Sequence, residues 1–344
     1  MLLLTALLPF VVLASQPGAS GKQRLPKPGA DTLDRSCALV NAARDASTAR
    51  STAGNAVSAR AHPEFVLQEQ ERRALPDRVI PIAVAMLEEE GDVWAIDPKL
   101  RRIYAIPPGG PPRWMGTDAD TGFTSIVAGH QRLLGVRAAT LLSYDRQAGV
   151  FKTVGEIDTL AGMITSAAED GRHLWLVTRK DTVVELLVFT HGGQTRTGLS
   201  RATARIRLPG GARLHALTPG RVLLARIDAP YSVSIFDTAA RELTRFSPFE
   251  QPGIDSTALG IRASVISLAA LPLDCRRVLQ VLIDLRADTR WFLVHDIEHG
   301  RVARVRRITR PVGFTQAIPG LRVLLGFDDS VGRGEVVLYR WRWQ

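Results

Sequence analysis

The chain is nearly without asparagine and cysteine, and it has no long apolar run after its first residues. Its two asparagines, Asn41 and Asn55, both precede the bulk of the sequence. The rest therefore offers no Asn side chain to a metal site. Two cysteines, Cys37 and Cys275, exclude a disulfide framework and a zinc site of four thiolates. They leave open one long-range bridge or two unrelated thiols. No later run approaches the length of a membrane-spanning helix, which needs about 18 apolar residues or more. There is no GxSxG elbow, no HExxH pair and no glycine-rich loop opening a helix, so nucleophile-elbow, zincin and nucleotide-binding readings have no support. Few segments hold the 3.6-residue period of an amphipathic helix.

What is present begins with an ordinary globular composition, 45% hydrophobic and 23% charged over 344 residues, enough for one large domain or two. The formal charge is +10, carried by 39 arginines and only 5 lysines. Such a skew follows equally from GC-rich codon usage and from selection for an anionic partner. Residues 1–14, MLLLTALLPFVVLA, read as a signal peptide with Val12 and Ala14 at the small-residue positions, though without a basic n-region. That predicts export to the periplasm or outside the cell, in a bacterial envelope. Residues 15–63 are rich in Ser, Ala, Gly, Pro and Arg and poor in large apolar side chains, which predicts a low-complexity, disordered linker. Cys37 in LDRSC lies past the apolar run and beside Asp34 and Arg35, the wrong setting for a lipid-anchored cysteine.

From residue 64 to 344 the texture becomes short runs of Val, Leu, Ile, Trp and Tyr broken by Gly, Asp and Pro, an all-β pattern. One strand recurs: VWAI at 93, LLGV at 133, LWLV at 174, VLLA at 222, VLID at 281 and VLLG at 323. The steps are 40, 41, 48, 59 and 42 residues. The long step holds an insertion, SPFEQPGIDSTALG. Each unit has room for three or four strands joined by hairpins. Small sheets repeating at about 40 to 50 residues mark a β-propeller, in which each sheet buries its faces only against its neighbours. Six units fit. The sixth runs out after its third strand, and EFVLQEQERR at 64–73 is placed to supply the missing outer strand and close the ring. The fold expected is a six-bladed β-propeller of four-stranded blades, closed by an N-terminal strand.

In GDVWAIDPKLRRIYAI, the residues Gly91, Val93, Trp94, Asp97, Arg102 and Ile103 resemble the NHL-type repeat. The other units keep the strand rhythm but lose most of those residues, so the chain resembles a divergent propeller of the broad NHL/TolB-like group over about residues 64–344. The resemblance implies a binding platform for proteins, peptides, glycans or nucleic acids, or in some members a metal-dependent hydrolase acting on lactones or peptidyl substrates in the channel. A fold that hosts so many activities fixes none.

The hydrolase reading expects Glu, Asn and Asp ligands, and the repeat region has no asparagine. Glu88, Glu89, Glu90, Glu169 and Asp170 read as solvated turn carboxylates. The seven histidines show no ligand spacing; His295 and His299 straddle a strand end and a turn and read as solvated or packed rings. More distinctive are the turns after the recurring strand, which carry Arg137, Arg179, Arg226 and Arg286, three of them followed two residues on by Asp181, Asp228 and Asp288. The plain reading is that each Arg pairs with its own Asp, a surface contact worth about 0 to 1 kcal/mol. The functional reading is a partial ring of guanidinium groups able to grip an acidic or mixed-charge partner bidentately. HGRVARVRRITR at 299–310 reads as an outer strand whose arginines cover the rim. It lacks the interleaved aromatics that nucleic-acid binding calls for. In YRWRWQ, Trp341 and Trp343 are expected to pack at the closing blade.

The sequence thus leads to an exported, non-catalytic binding module without cofactor or metal. Its expected partner is a protein, a peptide or an anionic envelope polymer. The alternatives are a lactonase-like hydrolase with an asparagine-free metal site and a general polyanion binder with a steep salt dependence.

Overall fold

The computed structural model describes residues 65–76, 81–87, 91–129, 132–157, 162–190, 199, 202–228, 231–247, 265–284, 289–297, 301–308, 312–328 and 334–343. At 265–266, 284, 289, 301–308 and 312 the description is of the backbone. Both cysteine-proximal and signal-like segments before residue 65 lie outside it, as does the insertion after Ser247.

The first strand, β1 (Phe65–Ala74), is followed by six groups. Blade 1 holds β2 (Val84–Met86), β3 (Val93–Ile96), β4 (Ile103–Ile106) and β5 (Arg113–Trp114). Blade 2 holds β6 (Ser125–Ala128), β7 (Leu133–Arg137), β8 (Thr140–Asp145) and β9 (Val150–Glu156). Blade 3 holds β10 (Met163–Glu169), β11 (His173–Lys180), β12 (Val183–Thr190) and β13 (Ala204–Leu208). Blade 4 holds β14 (Ala212–Thr218), β15 (Arg221–Arg226), β16 (Val233–Asp237) and β17 (Glu242–Phe246). Blade 5 holds β18 (Val265–Pro272), β19 (Arg277–Asp284), β20 (Thr289–Asp296) and β21 (Arg301–Ile308). Blade 6 holds β22 (Val312–Ile318), β23 (Val323–Asp328) and β24 (Glu335–Trp343), and takes β1 as its outermost strand. All six sheets are four-stranded and antiparallel, in sequence order from the channel outward except that β1 follows β24 in blade 6. The chain is a six-bladed β-propeller.

The second strand of each blade is predominantly apolar because both of its faces are covered, with Thr178 in β11 and Gln280 in β19 as buried polar exceptions. Successive side chains point to opposite faces. In β3, Val93 and Ala95 pack toward blade 6, whereas Trp94 and Ile96 pack toward blade 2. In β7, Leu133 faces blade 1 while Leu134 and Val136 face blade 3. Six hydrophobic clusters result, one at each blade interface. Each fully buried Leu, Ile or Val in them contributes about 1.5–3 kcal/mol. The outer strand Ala204–Leu208, with only one covered face, instead alternates arginine with apolar residues.

Closure works as the sequence suggests. The register of β1 on β24 runs from Phe65 opposite Trp343 to Ala74 opposite Glu335, with a bulge between Glu69 and Glu71. Arg73, only 5% exposed, reaches past this sheet into blade 1, donating to the carbonyls of Gly91 (2.6 Å) and Ile106 (2.9 Å). Arg72 meets Glu69, Asp328 and Glu335. Trp341 is buried in the closing interface, and Trp343 lies against Phe65 with Arg277 stacked over it. Cys275 sits in the β18–β19 turn beside this corner and is disulfide-bonded. The chain's one other cysteine is Cys37, outside the described residues.

The interface between blades 4 and 5 differs from the rest. Its apolar cluster takes only Ala270 and Val278 from the buried side chains of blade 5. His295 and Gln280, both fully buried, occupy the room instead. His295 Nε2 lies 2.8 Å from Gln280 Oε1, and Gln280 Nε2 donates to Ser267 Oγ at 3.2 Å. The His295 ring stacks on Phe246 of blade 4 at 4.6 Å. A polar seam therefore runs inward between these two blades.

Candidate functional site

Two regions can meet a ligand: the hairpin face and the channel. The hairpin face is built by register. Opposite the start of each innermost strand, the second strand ends at one equivalent position. Met163 pairs with Arg179, Ala212 with Arg226, Val265 with Asp284 and Val312 with Asp328. One step beyond the Ser125–Val136 pair lies Arg137, and Asp97 holds the corresponding place after β3. Because antiparallel strands reverse at every turn, these hairpins all open on one side of the disc. Arg137, Arg179 and Arg226 are thus brought to one face on three consecutive blades, and Asp97, Asp284 and Asp328 occupy the other three. Arg286 and Asp288 lie outside the described residues.

In the two described turns that carry an Asp two residues after the Arg, Arg179 with Asp181 and Arg226 with Asp228, the two side chains do not form an ion pair. Arg179 Nε donates to the backbone carbonyl of Asp181 at 3.2 Å, and Asp181 itself turns the chain with φ 53°. The Asp228 carboxylate accepts the Gly211 N–H at 2.7 Å. Arg226 lies alongside, its Nε buried without a hydrogen-bond partner. The stem of Arg137 crosses Gly122, where an added Cβ would stand 3.5 Å from its Cδ. None of the three makes an ion pair with a described carboxylate. By contrast, Asp97 accepts the N–H groups of Lys99 and Leu100, and Asp328 is held by Arg72.

The channel between the six innermost strands holds a cavity of about 760 Å³ that is partly open to solvent. Its carboxylates are not solvated turn residues, contrary to the expectation from sequence. Glu169 is buried and ion-paired with Arg132. Burial raises the pKa of Asp170, but the backbone N–H groups of Gly220, Arg172 and His173 outweigh that and hold the carboxyl below its ordinary value. Its bond to Gly220 links blade 3 to blade 4. Glu88, Glu89 and Glu90 lie outside the described residues. Among the described residues, no three His, Cys, Asp or Glu side chains come together as a metal site.

Arg213 and His215, two residues apart on β14, line the same channel. Arg213 is surrounded by protein yet open to the lumen, and its Nη1 donates to the Leu268 carbonyl of blade 5 at 3.2 Å. Burial lowers its pKa. Burial, and secondly the Arg213 charge, push His215 down to about 4. Sequence reasoning passed over this pair. The signal available was ARLHALT, two basic side chains at alternate positions on an innermost strand where blade 1 has Val84–Met86.

No protein-family profile matches the sequence, and no curated protein matches it. Among solved structures, the Pan2 WD40 domain of Neurospora crassa is similar at 7% identity, over 79% of this chain and 94% of that one, with a TM-score of 0.48. A structural-genomics protein of unknown function from Bacteroides thetaiotaomicron is similar at 13% identity, over 81% and 77% of the two chains, with a TM-score of 0.49.

Proposed function

We propose that this six-bladed propeller, a divergent relative of the NHL/TolB-like group, is an exported, non-catalytic binding module. Its partner is an acidic or mixed-charge protein, peptide or envelope polymer, met at the hairpin face. The observation that carries the reading is the placing of Arg137, Arg179 and Arg226 at equivalent hairpins of consecutive blades, none ion-paired with a described carboxylate. A guanidinium not already committed to an anion loses little by engaging one, and its fork matches a carboxylate or phosphate bidentately. Asp181 and Asp228 in the same turns favour a ligand of mixed charge over a uniform polyanion. Export is supported by the disulfide at Cys275, since such bonds persist in oxidising compartments.

The test is capture from a cell-envelope extract by the exported chain, wild type against Arg137→Ala/Arg179→Ala/Arg226→Ala, at low and high salt. Partners held by the wild type and lost by a variant with an unchanged unfolding curve support the hairpin face. Equal capture by both refutes it. A uniform loss with salt, without preference among anionic polymers, would replace it with polyelectrolyte contact.

A further inference from the structure

The polar row between blades 4 and 5 runs inward from His295 through Gln280 to Ser267 on β18, and on the facing innermost strand, β14, Arg213 has no ion pair with a carboxylate among the described residues. Arg213 projects from β14 across the seam to blade 5. Its one described contact is the Leu268 carbonyl, a neutral acceptor that satisfies one of five donors. The channel's own carboxylates do not serve it, because Glu169 is bound to Arg132 and Asp170 to three backbone N–H groups and His173. His215, on the same side of the strand, adds an imidazole donor or acceptor beside the guanidinium. Of the lumen hydroxyls, those of Thr124, Thr165 and Thr315 donate to the carbonyls of Val136, Val177 and Leu325 on the neighbouring strands. Their hydrogens are used and their lone pairs are left.

A cavity of about 760 Å³ falls within the range of roughly 300–1,000 Å³ that small-molecule sites occupy. Arg213 is exposed to this cavity and leaves most of its guanidinium donors open there, where a carboxylate can meet them bidentately. We propose that the channel is a ligand site for a small organic carboxylate, gripped by Arg213 at the seam between blades 4 and 5. The Arg213 guanidinium supplies the bidentate clamp and His215 a neighbouring polar contact. The threonine hydroxyls accept from whatever donors the body of the ligand carries. This site is separate from the hairpin arginines and does not depend on them.

The experiment is titration calorimetry on the full exported chain with four probes: benzoate and glucuronate as carboxylates, benzamide and glucose as neutral counterparts. Chloride at matched ionic strength is the control. Saturable binding of at least one carboxylate, absent with its neutral counterpart and weakened about ten- to hundredfold by Arg213→Met, is the expected result. Arg213→Lys should retain part of the affinity, because the charge survives while the fork is lost. The hairpin triple variant should bind as the wild type does, which separates failure of this site from failure of the hairpin face.

Should Arg213→Met not fold, the wild type still decides. Addition of the bound carboxylate must shift the His215 imidazole resonances and leave those of His173 unmoved. No carboxylate bound beyond the chloride control, or binding indifferent to Arg213→Met in a folded variant, overturns the proposal, as does a carboxylate that leaves His215 unperturbed.

Discussion

Arg73→Met tests what closes the ring. The wild-type side chain is 5% exposed and links three pieces of chain: it donates to Gly91 O and Ile106 O of blade 1 and bidentately to Glu71 on its own strand. A hydrogen bond to a charged group contributes about 1.5–3 kcal/mol, so the two carbonyl bonds together are worth about 3–6 kcal/mol. Methionine keeps the apolar stem and removes the desolvation cost of a buried cation, which returns part of that. The expected net loss is about 2–4 kcal/mol. With a urea m-value of about 3 kcal/mol/M, the midpoint falls by about 1 M. Amide exchange gives the location. The β1 amides and the Leu75 N–H, which bonds Gly334 O at 3.0 Å, should lose protection ahead of blades 2 to 4. Arg72→Met provides the contrast. Its side chain is 29% exposed, and solvent screening holds its network to about 1 kcal/mol. A midpoint for Arg73→Met within about 0.2 M of wild type, with β1 protection unchanged, would refute the idea that Arg73 holds the closing strand to blade 1.

Two further outcomes follow from buried groups. Burial lowers His295 from its ordinary 6.5 to about 3, so its neutral form favours the folded state. That contribution is complete above pH 6.5 and is lost as the pH falls toward 3, at most several kcal/mol. His295→Leu with Gln280→Leu, which removes both partners together, should flatten the fall in melting temperature between pH 6.5 and 4 relative to wild type; an unchanged slope would mean His295 does not titrate with folding. For Cys275, peptide mapping of the full chain without reductant should recover a Cys37–Cys275 pair. Reduction should then cost about 2–4 kcal/mol, and a free Cys275 thiol in that map would remove the support for export.

The propeller was legible in sequence because its physics is repetitive. A strand buried on both faces is apolar at nearly every position, so VWAI, LWLV and VLLG announce themselves against turns of Gly, Asp and Pro. The recurring spacing then counts the blades, and the missing outer strand of the sixth points back to EFVLQEQERR. What could not be read was partnership. Arg72 and Arg73 are adjacent in sequence, yet one meets three carboxylates at the surface and the other buries itself in carbonyls of the next blade. The alternation of strand faces decides between them, and the bulge between Glu69 and Glu71 resets that alternation in a way no local pattern reveals.

The same limit governs the candidate sites. The hairpin arginines were visible because each belongs to a repeating unit and can be compared with its counterparts. Arg213 has no counterpart among the other innermost strands, and a single Arg-X-His on a strand is as ordinary as any solvated pair. Its meaning comes from three facts that only folding creates. Glu169 and Asp170 are already satisfied by other groups, the blade 4–5 interface exchanges apolar packing for His295 and Gln280, and the strand borders the channel cavity. Propellers close by burying nearly every second-strand side chain, so a departure at one interface costs stability unless the polar groups there are paired. His295 Nε2, Gln280 and Ser267 are hydrogen-bonded in a row along the seam, while His295 Nδ1 is buried without a hydrogen-bond partner. Arg213, at its inner end, is the group whose remaining donors a carboxylate would complete.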